Sequence, residues 1–196
     1  MLNTQLYWFV GRGSGIVAYL LLTLSVVLGI AVSRRWHSAS WPRLVVHEAH
    51  RWATLTFYLF LGVHVAMMLL DPYVKFSLAD VAVPFASTYR TLWLSLGIVA
   101  AELAVAIGAS VWVRARIGYR VWHALHGLAY PIFVASLLHG LGTGTDTGTP
   151  WMALLYAGSA GAVLVATLWR TVHHPQARAA LTGATVVTLV VVARLV

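Results

Sequence analysis

The chain has 196 residues, 60% hydrophobic and 9% charged, with a mean hydropathy of +0.82 and a formal charge of +8. A soluble domain is about a quarter charged, so this composition excludes an ordinary soluble fold and points to a bilayer. The absence of cysteine excludes disulfides and thiolate metal clusters.

Crossing a bilayer takes about 20 apolar residues at about 1.5 Å each. Six stretches meet that requirement: 6–32, 43–70, 90–113, 120–141, 151–170 and 179–196. The first lacks a preceding basic region and has too long an apolar run for a cleaved signal peptide. Within it Gly11, Gly13 and Gly15 imitate a dinucleotide fingerprint, but no strand precedes them, and a loose helix start or close helix packing is expected instead. The connections are short and rich in Gly, Pro, Ser and Thr, as in the outer turn Gly140–Pro150 (GLGTGTDTGTP). None is large enough for a nucleotide-binding domain. The last stretch is short and weakly bounded.

The basic residues are distributed by side. Arg34, Arg35, Arg43 and Arg51 flank the first connection, Arg114, Arg116 and Arg120 the third, and Arg170 and Arg178 the fifth, leaving Arg12, Lys75, Arg90 and Arg194 opposite. This asymmetry argues against nucleic acid as a partner. By the positive-inside rule it predicts a multi-pass membrane protein, surrounded by lipid, with both termini outside and these three connections in the cytoplasm; a bacterial plasma membrane is the expected location. Trp8, Trp36, Trp41, Trp93, Trp112, Trp122, Trp151 and Trp169 lie near the segment ends, where an amphipathic ring is favoured, whereas Trp52 lies deeper.

Histidines within spans need a reason. His50 and His64 occupy the second span, and His126 and His139 the fourth. The first two are 14 residues apart, which returns to within about 40° of one helix face and about 21 Å further along. Phe57 lies midway. The second pair is 13 apart, matched in depth at about 19.5 Å but about 140° out of register on an ideal helix. Pro131 lies between them, local overwinding or a kink could restore the common direction, and an irregular fourth helix is expected near Pro131.

The two spans run the same way, so equal depth pairs His50 with His126 toward the cytoplasm and His64 with His139 toward the outside. Imidazole is a standard axial ligand to haem iron. Two such pairs would hold two stacked haems, of b type because no cysteine is present for covalent attachment. Each imidazole is expected to donate its other N–H to a backbone carbonyl one turn earlier. A helix-to-helix hydrogen bond is the structural reading of any one of these histidines, but four at two matched depths are hard to obtain that way.

Arg51 and Arg120 adjoin the cytoplasmic pair and could bind haem propionates, although topology alone accounts for them; Arg12 and Arg90 could do the same outside. His47 and His123, one turn toward the cytoplasm from His50 and His126, could bind propionates, replace a ligand or sit at the interface. His37, His173 and His174 read as solvated loop residues. Glu102, within AAELAVAIG, reads as a proton relay or as a hydrogen bond to a neighbouring helix. Phe57, Phe60, Tyr130 and Phe133 would pack against a porphyrin or simply fill a core.

The run Trp122-His-Ala-Leu-His126-Gly-Leu-Ala-Tyr130, ending at Leu138-His139, together with His50-Arg51 and His64, resembles the ferric reductase-like transmembrane domain. That superfamily includes ferric reductases, NADPH oxidases and the haem-binding membrane subunit of a bacterial methionine-sulfoxide reductase. The likeness extends from Gly11 to about Arg170. It implies an all-α, single-domain bundle of six transmembrane helices enclosing two b-type haems, with electrons moving from the cytoplasmic to the outer face. No flavin- or NADPH-binding domain is fused within the 196 residues, so the resemblance implies a separate donor, a flavoprotein or a quinol, and a periplasmic electron acceptor. It leaves open whether the chain is an oxidoreductase component in its own right or an accessory subunit serving a separate periplasmic reductase. A histidine-based metal or proton transporter is the reading from another class; transport sites gather polar groups at one midplane cavity, whereas these separate into two depths.

Overall fold

The computed structural model describes residues 2–172. The sixth stretch at 179–196 lies outside them, as do His173, His174, Arg178 and Arg194. Among the described residues all regular structure is helical: α1 (Leu2–Ser33), α2 (Arg43–Leu70), α3 (Leu78–Ala82), α4 (Thr91–Ile117), α5 (Tyr119–His126), α6 (Ala129–Thr143) and α7 (Pro150–Val172). Five spans are long and apolar enough to cross a membrane: Gln5–Ser33, Arg43–Leu70, Thr91–Ile117, Tyr119–Thr143 (α5 and α6 together) and Pro150–Val172. A lipid core offers the backbone no hydrogen-bond partner, so each span satisfies its own peptide groups as helix.

Leu44, Leu59, Leu154 and Val165 are exposed. On a soluble protein such a surface would drive aggregation; against lipid it costs nothing. The interior is built from Leu22, Val26 and Ile30 of α1, Phe57 of α2, Ala104 of α4 and Ile132 of α6, among others. Several buried hydroxyls are returned to their own helices. Ser14 donates to the Val10 carbonyl at 2.6 Å and Thr23 to Tyr19 at 2.9 Å.

α1 and α2 lie antiparallel, joined by the short Arg34–Pro42 connection. The short α3, unforeseen in the sequence reading, begins with a capping box in which Ser77 and Asp80 bond each other's backbone N–H. Hydrogen bonds from Ser77 hold the Asp80 carboxyl below the ordinary carboxylate range. α4 starts after Arg90, which sits at φ 40° and bonds the Gly142 carbonyl, tying α4 to α6. It ends at Gly118, where φ 80° requires glycine to turn the chain into α5.

The fourth span is interrupted at Gly127–Leu128, four residues before Pro131. Pro131 has no N–H for the Gly127 carbonyl and its ring would clash with it. That carbonyl instead accepts from the Tyr130 N–H at 3.3 Å, and Leu128 N–H bonds Leu125 at 3.0 Å. Both are i to i−3 bonds. A step of this tighter helix turns about 20° further per residue than an α-helical one, so the chain overwinds upstream of the proline rather than at it.

Tyr58 donates its hydroxyl to the Ala104 carbonyl at 2.7 Å, with its ring against Gly108, and so ties α2 to α4. Interhelical hydrogen bonds in membranes average about 0.6 kcal/mol. Tyr58→Phe is therefore expected to lower the melting temperature in detergent only slightly; Gly108→Ala, which forces a Cβ against the hydroxyl at 2.8 Å, should lower it more. Thermal unfolding of the two variants side by side checks this order.

Candidate functional site: two histidine pairs in the span core

α2 and the α5–α6 span present their histidines to each other at two levels. The rings of His50 and His126 have centroids 6.1 Å apart, and those of His64 and His139 are 6.4 Å apart. In both pairs the ring planes are inclined at 79°. The equal-depth pairing read from the sequence is thus the arrangement found, and the irregular turn at Gly127–Leu128 lies between the two histidines of the fourth span.

Three of the four rings are oriented by a backbone carbonyl on a neighbouring helix. His64 Nδ1 lies 2.7 Å from the Gly11 carbonyl, His50 Nδ1 2.9 Å from Ser25, and His139 Nδ1 2.9 Å from Trp93. The acceptor is a backbone carbonyl, as expected, but it comes from α1 or α4 and not from the preceding turn of the same helix. A ring that projects toward the bundle centre points away from the carbonyls of its own helix, and only a packed neighbour is within reach.

In each case glycine stands four residues after the accepting carbonyl: Gly15 after Gly11, Gly29 after Ser25, Gly97 after Trp93. The side chain at that position overlies the carbonyl's free face, and glycine removes it. A Cβ at Gly15 would lie 2.8 Å from His64 Nδ1, one at Gly29 3.2 Å from His50 Cε1, and one at Gly97 would strike the His139 ring. Gly15 thus serves close packing, within a helix that begins well before it. The function of these glycines is not read from the sequence alone. A signal was present, because Gly15 and Gly29 are separated by 14 residues, as are His50 and His64, on antiparallel helices. The fourth ring differs: His126 Nδ1 is buried with no hydrogen-bond partner among the described residues, and the ring stacks on Trp122 at 5.1 Å and 25°.

A cavity adjoins each pair. That at His64 and His139 has a volume of about 280 Å³ and is bounded by Trp8, Arg12, Asp71, Tyr89 and Asp146. That at His50 and His126 has about 140 Å³ and is bounded by Ser33, His123, Tyr130 and Arg170. Leu22 and Phe57 line both, forming the wall between them. Phe57 is only 6% exposed.

Other residues singled out in the sequence fall in varied places. Arg12 reaches the larger cavity but is ion-paired with Asp146 and stacked over Trp8. Arg51 and Arg120 line neither cavity; Arg51 pairs with Glu48 at 3.2 Å and lies over Trp52, and Arg120 is exposed. The cation at the smaller cavity is Arg170, which donates to the Tyr130 hydroxyl at 3.1 Å. Its position depends on tertiary packing of α7, which adjacency in sequence does not reveal. His123 lines that cavity and stacks on Tyr119, whereas His47 is exposed beside Glu48. His37 is exposed in its loop. Phe133 and Phe60 pack in the core, Phe133 stacked on Tyr19. Glu102 is exposed on the outward face of α4, with no hydrogen-bond partner among the described residues, and lines neither cavity.

Among the described residues, five apolar spans with two histidine pairs facing each other inside the bundle define a multi-pass helical membrane protein. The profile of the family described as "Ferric reductase like transmembrane component" matches residues 13–137, well over half of the chain, and the chain belongs to that family. Domains of this family typically bind haem, and membership indicates electron transfer across a membrane in general terms. Neither the curated proteins nor the solved structures contain a match to this chain.

Proposed function

We propose that the chain conducts electrons across the plasma membrane through two b-type haems, one held by His50 and His126, the other by His64 and His139. The observation that carries this reading is the spacing of the rings. Two metal–imidazole bonds of about 2.0 Å on opposite sides of one atom place the ring centres about 6.3 Å apart; the pairs here are at 6.1 and 6.4 Å. The donor set agrees. Each pair offers two imidazoles, too few to enclose a bare transition metal, which takes about four protein ligands in a closed site, but the full complement for an iron already bound by four porphyrin nitrogens. No group of three or more His, Cys, Asp or Glu side chains able to hold a metal ion occurs among the described residues, which speaks against the metal-transporter reading.

Haem held by two imidazoles at each level would supply one-electron redox chemistry and would favour electron transfer over oxygen binding. The chain's own residues do the rest. Gly11, Ser25 and Trp93 fix the tautomer of three imidazoles through their carbonyls, leaving Nε2 free to bind a metal. Leu22 and Phe57 keep water out between the levels. The spans and their lipid-facing side chains insulate the path.

The basic loops on the His50–His126 side argue that this level faces the cytoplasm and that α1 starts on the outer side. The connections between described helices are too short for a flavin-binding fold, so electrons are supplied from outside these residues, by a flavoprotein or a quinol, and leave to an acceptor at the outer face. The same architecture would serve as an accessory subunit that delivers electrons to a separate periplasmic reductase; co-purification of a soluble redox protein distinguishes that version. The test of the core reading is an optical spectrum of the purified, dithionite-reduced protein with haem stoichiometry by pyridine haemochrome. Two b-type haems per chain are expected. A colourless protein, or one that binds zinc instead, refutes the reading.

A further inference from the structure

The carbonyl-and-glycine device that orients three histidines is missing at the fourth. Gly11 and Ser25, which serve α2, are 14 residues apart. The same step along α4 from Trp93 leads to Ile107, which lines the smaller cavity. Its carbonyl accepts the Ser110 hydroxyl at 2.6 Å, and the residue four further on is Val111 where the other sites have glycine. His126 Nδ1 accordingly has no partner among the described residues, and its ring stacks on Trp122.

The charges lining the two cavities also differ in sign. Arg170 borders the smaller one, and no carboxylate among the described residues does. The larger is bordered by Asp71 and Asp146 against a single cation, Arg12, already paired with Asp146. Asp71 is itself only 4% exposed.

Resting on the two-haem reading above, we propose that the two sites are unequal by construction, and that the His50–His126 site has the higher reduction potential. Two independent effects point the same way. An imidazole whose distal N–H is bonded to a carbonyl is the more basic ligand and favours the oxidised metal; the outer site has two such ligands and the inner one has one. A nearby cation favours the state with one more electron, and nearby carboxylates oppose it. Electrons supplied at the cytoplasmic face therefore collect at the inner site and pass outward when an acceptor draws them.

The test is a spectroelectrochemical titration of the haem-loaded protein in lipid nanodiscs. Two waves are expected. His64→Ala, which leaves only the inner site, should retain the upper wave, and His50→Ala the lower. Arg170→Gln should shift the upper wave to lower potential without moving the other, and Arg170→Lys should restore most of that shift. The reverse assignment, or movement of the lower wave alone in Arg170→Gln, overturns the proposal while leaving the two-haem reading intact; a protein without haem would instead refute that reading. Should a histidine variant lose both haems, Arg170→Gln in the otherwise intact chain decides by which wave moves.

Discussion

Replacing His64 or His139 by alanine is expected to halve the haem content, from two per chain to one, and to leave the remaining haem with an unchanged spectrum. His50→Ala and His126→Ala should do the same at the other level. The selectivity follows from geometry: the two ring pairs are separated by about four helical turns, at about 5.4 Å each, with Leu22 and Phe57 between them. Loss of one imidazole would leave its haem weakly held, while the other histidine pair would keep its own ring spacing. His47→Ala should retain both haems, because His47 is exposed beside Glu48 and lines neither cavity. Pyridine haemochrome assays on the five variants check the pattern. Retention of two haems after removal of His64 or His139 would mean that the ligands lie elsewhere.

The spans were legible because lipid imposes one rule along the whole chain. α2 begins and ends where the apolar stretch 43–70 does, and the other described spans agree to within a few residues. The pairing of histidines by depth was legible for the same reason, since rise per residue is nearly constant in any helix. Direction around the helix axis was not. The 140° mismatch of His126 and His139 signalled an irregularity near Pro131, and it is found at Gly127–Leu128, because proline acts on the carbonyl four residues before it. The short α3 was missed because a five-residue helix has almost no periodicity to read, although Ser77 and Asp80 have capping-box spacing. Contacts between distant segments were least accessible. Arg51 and Arg120 adjoin histidines in sequence, yet Arg170, 40 residues from Tyr130, is the cation that reaches the cavity.

Alanine at Gly97 or Gly15 is expected to remove the outer haem as completely as removal of its ligand does, and for a reason that helix energetics alone would invert. In a helix interior, glycine to alanine ordinarily stabilises by about 0.5–1 kcal/mol. At Gly62, Gly158 and Gly161, where an added Cβ meets nothing within 4 Å, that gain should be realised and both haems retained. At Gly97 the Cβ would occupy the space of the His139 ring, and at Gly15 it would come within 2.8 Å of His64 Nδ1. The imidazole must then swing away from its carbonyl, losing both the hydrogen bond that fixes its tautomer and the direction in which Nε2 points. Gly29, with the nearest ring atom at 3.2 Å, is the intermediate case, and Gly29→Ala should weaken the inner haem without eliminating it. Haem stoichiometry measured together with thermal stability of the apo-protein separates the two effects. Gly97→Ala should yield a chain that is folded but lacks one haem, a combination that general destabilisation would not produce. If Gly97→Ala and Gly62→Ala bound haem equally well, the packing of α4 against the His139 ring would have no part in holding the cofactor.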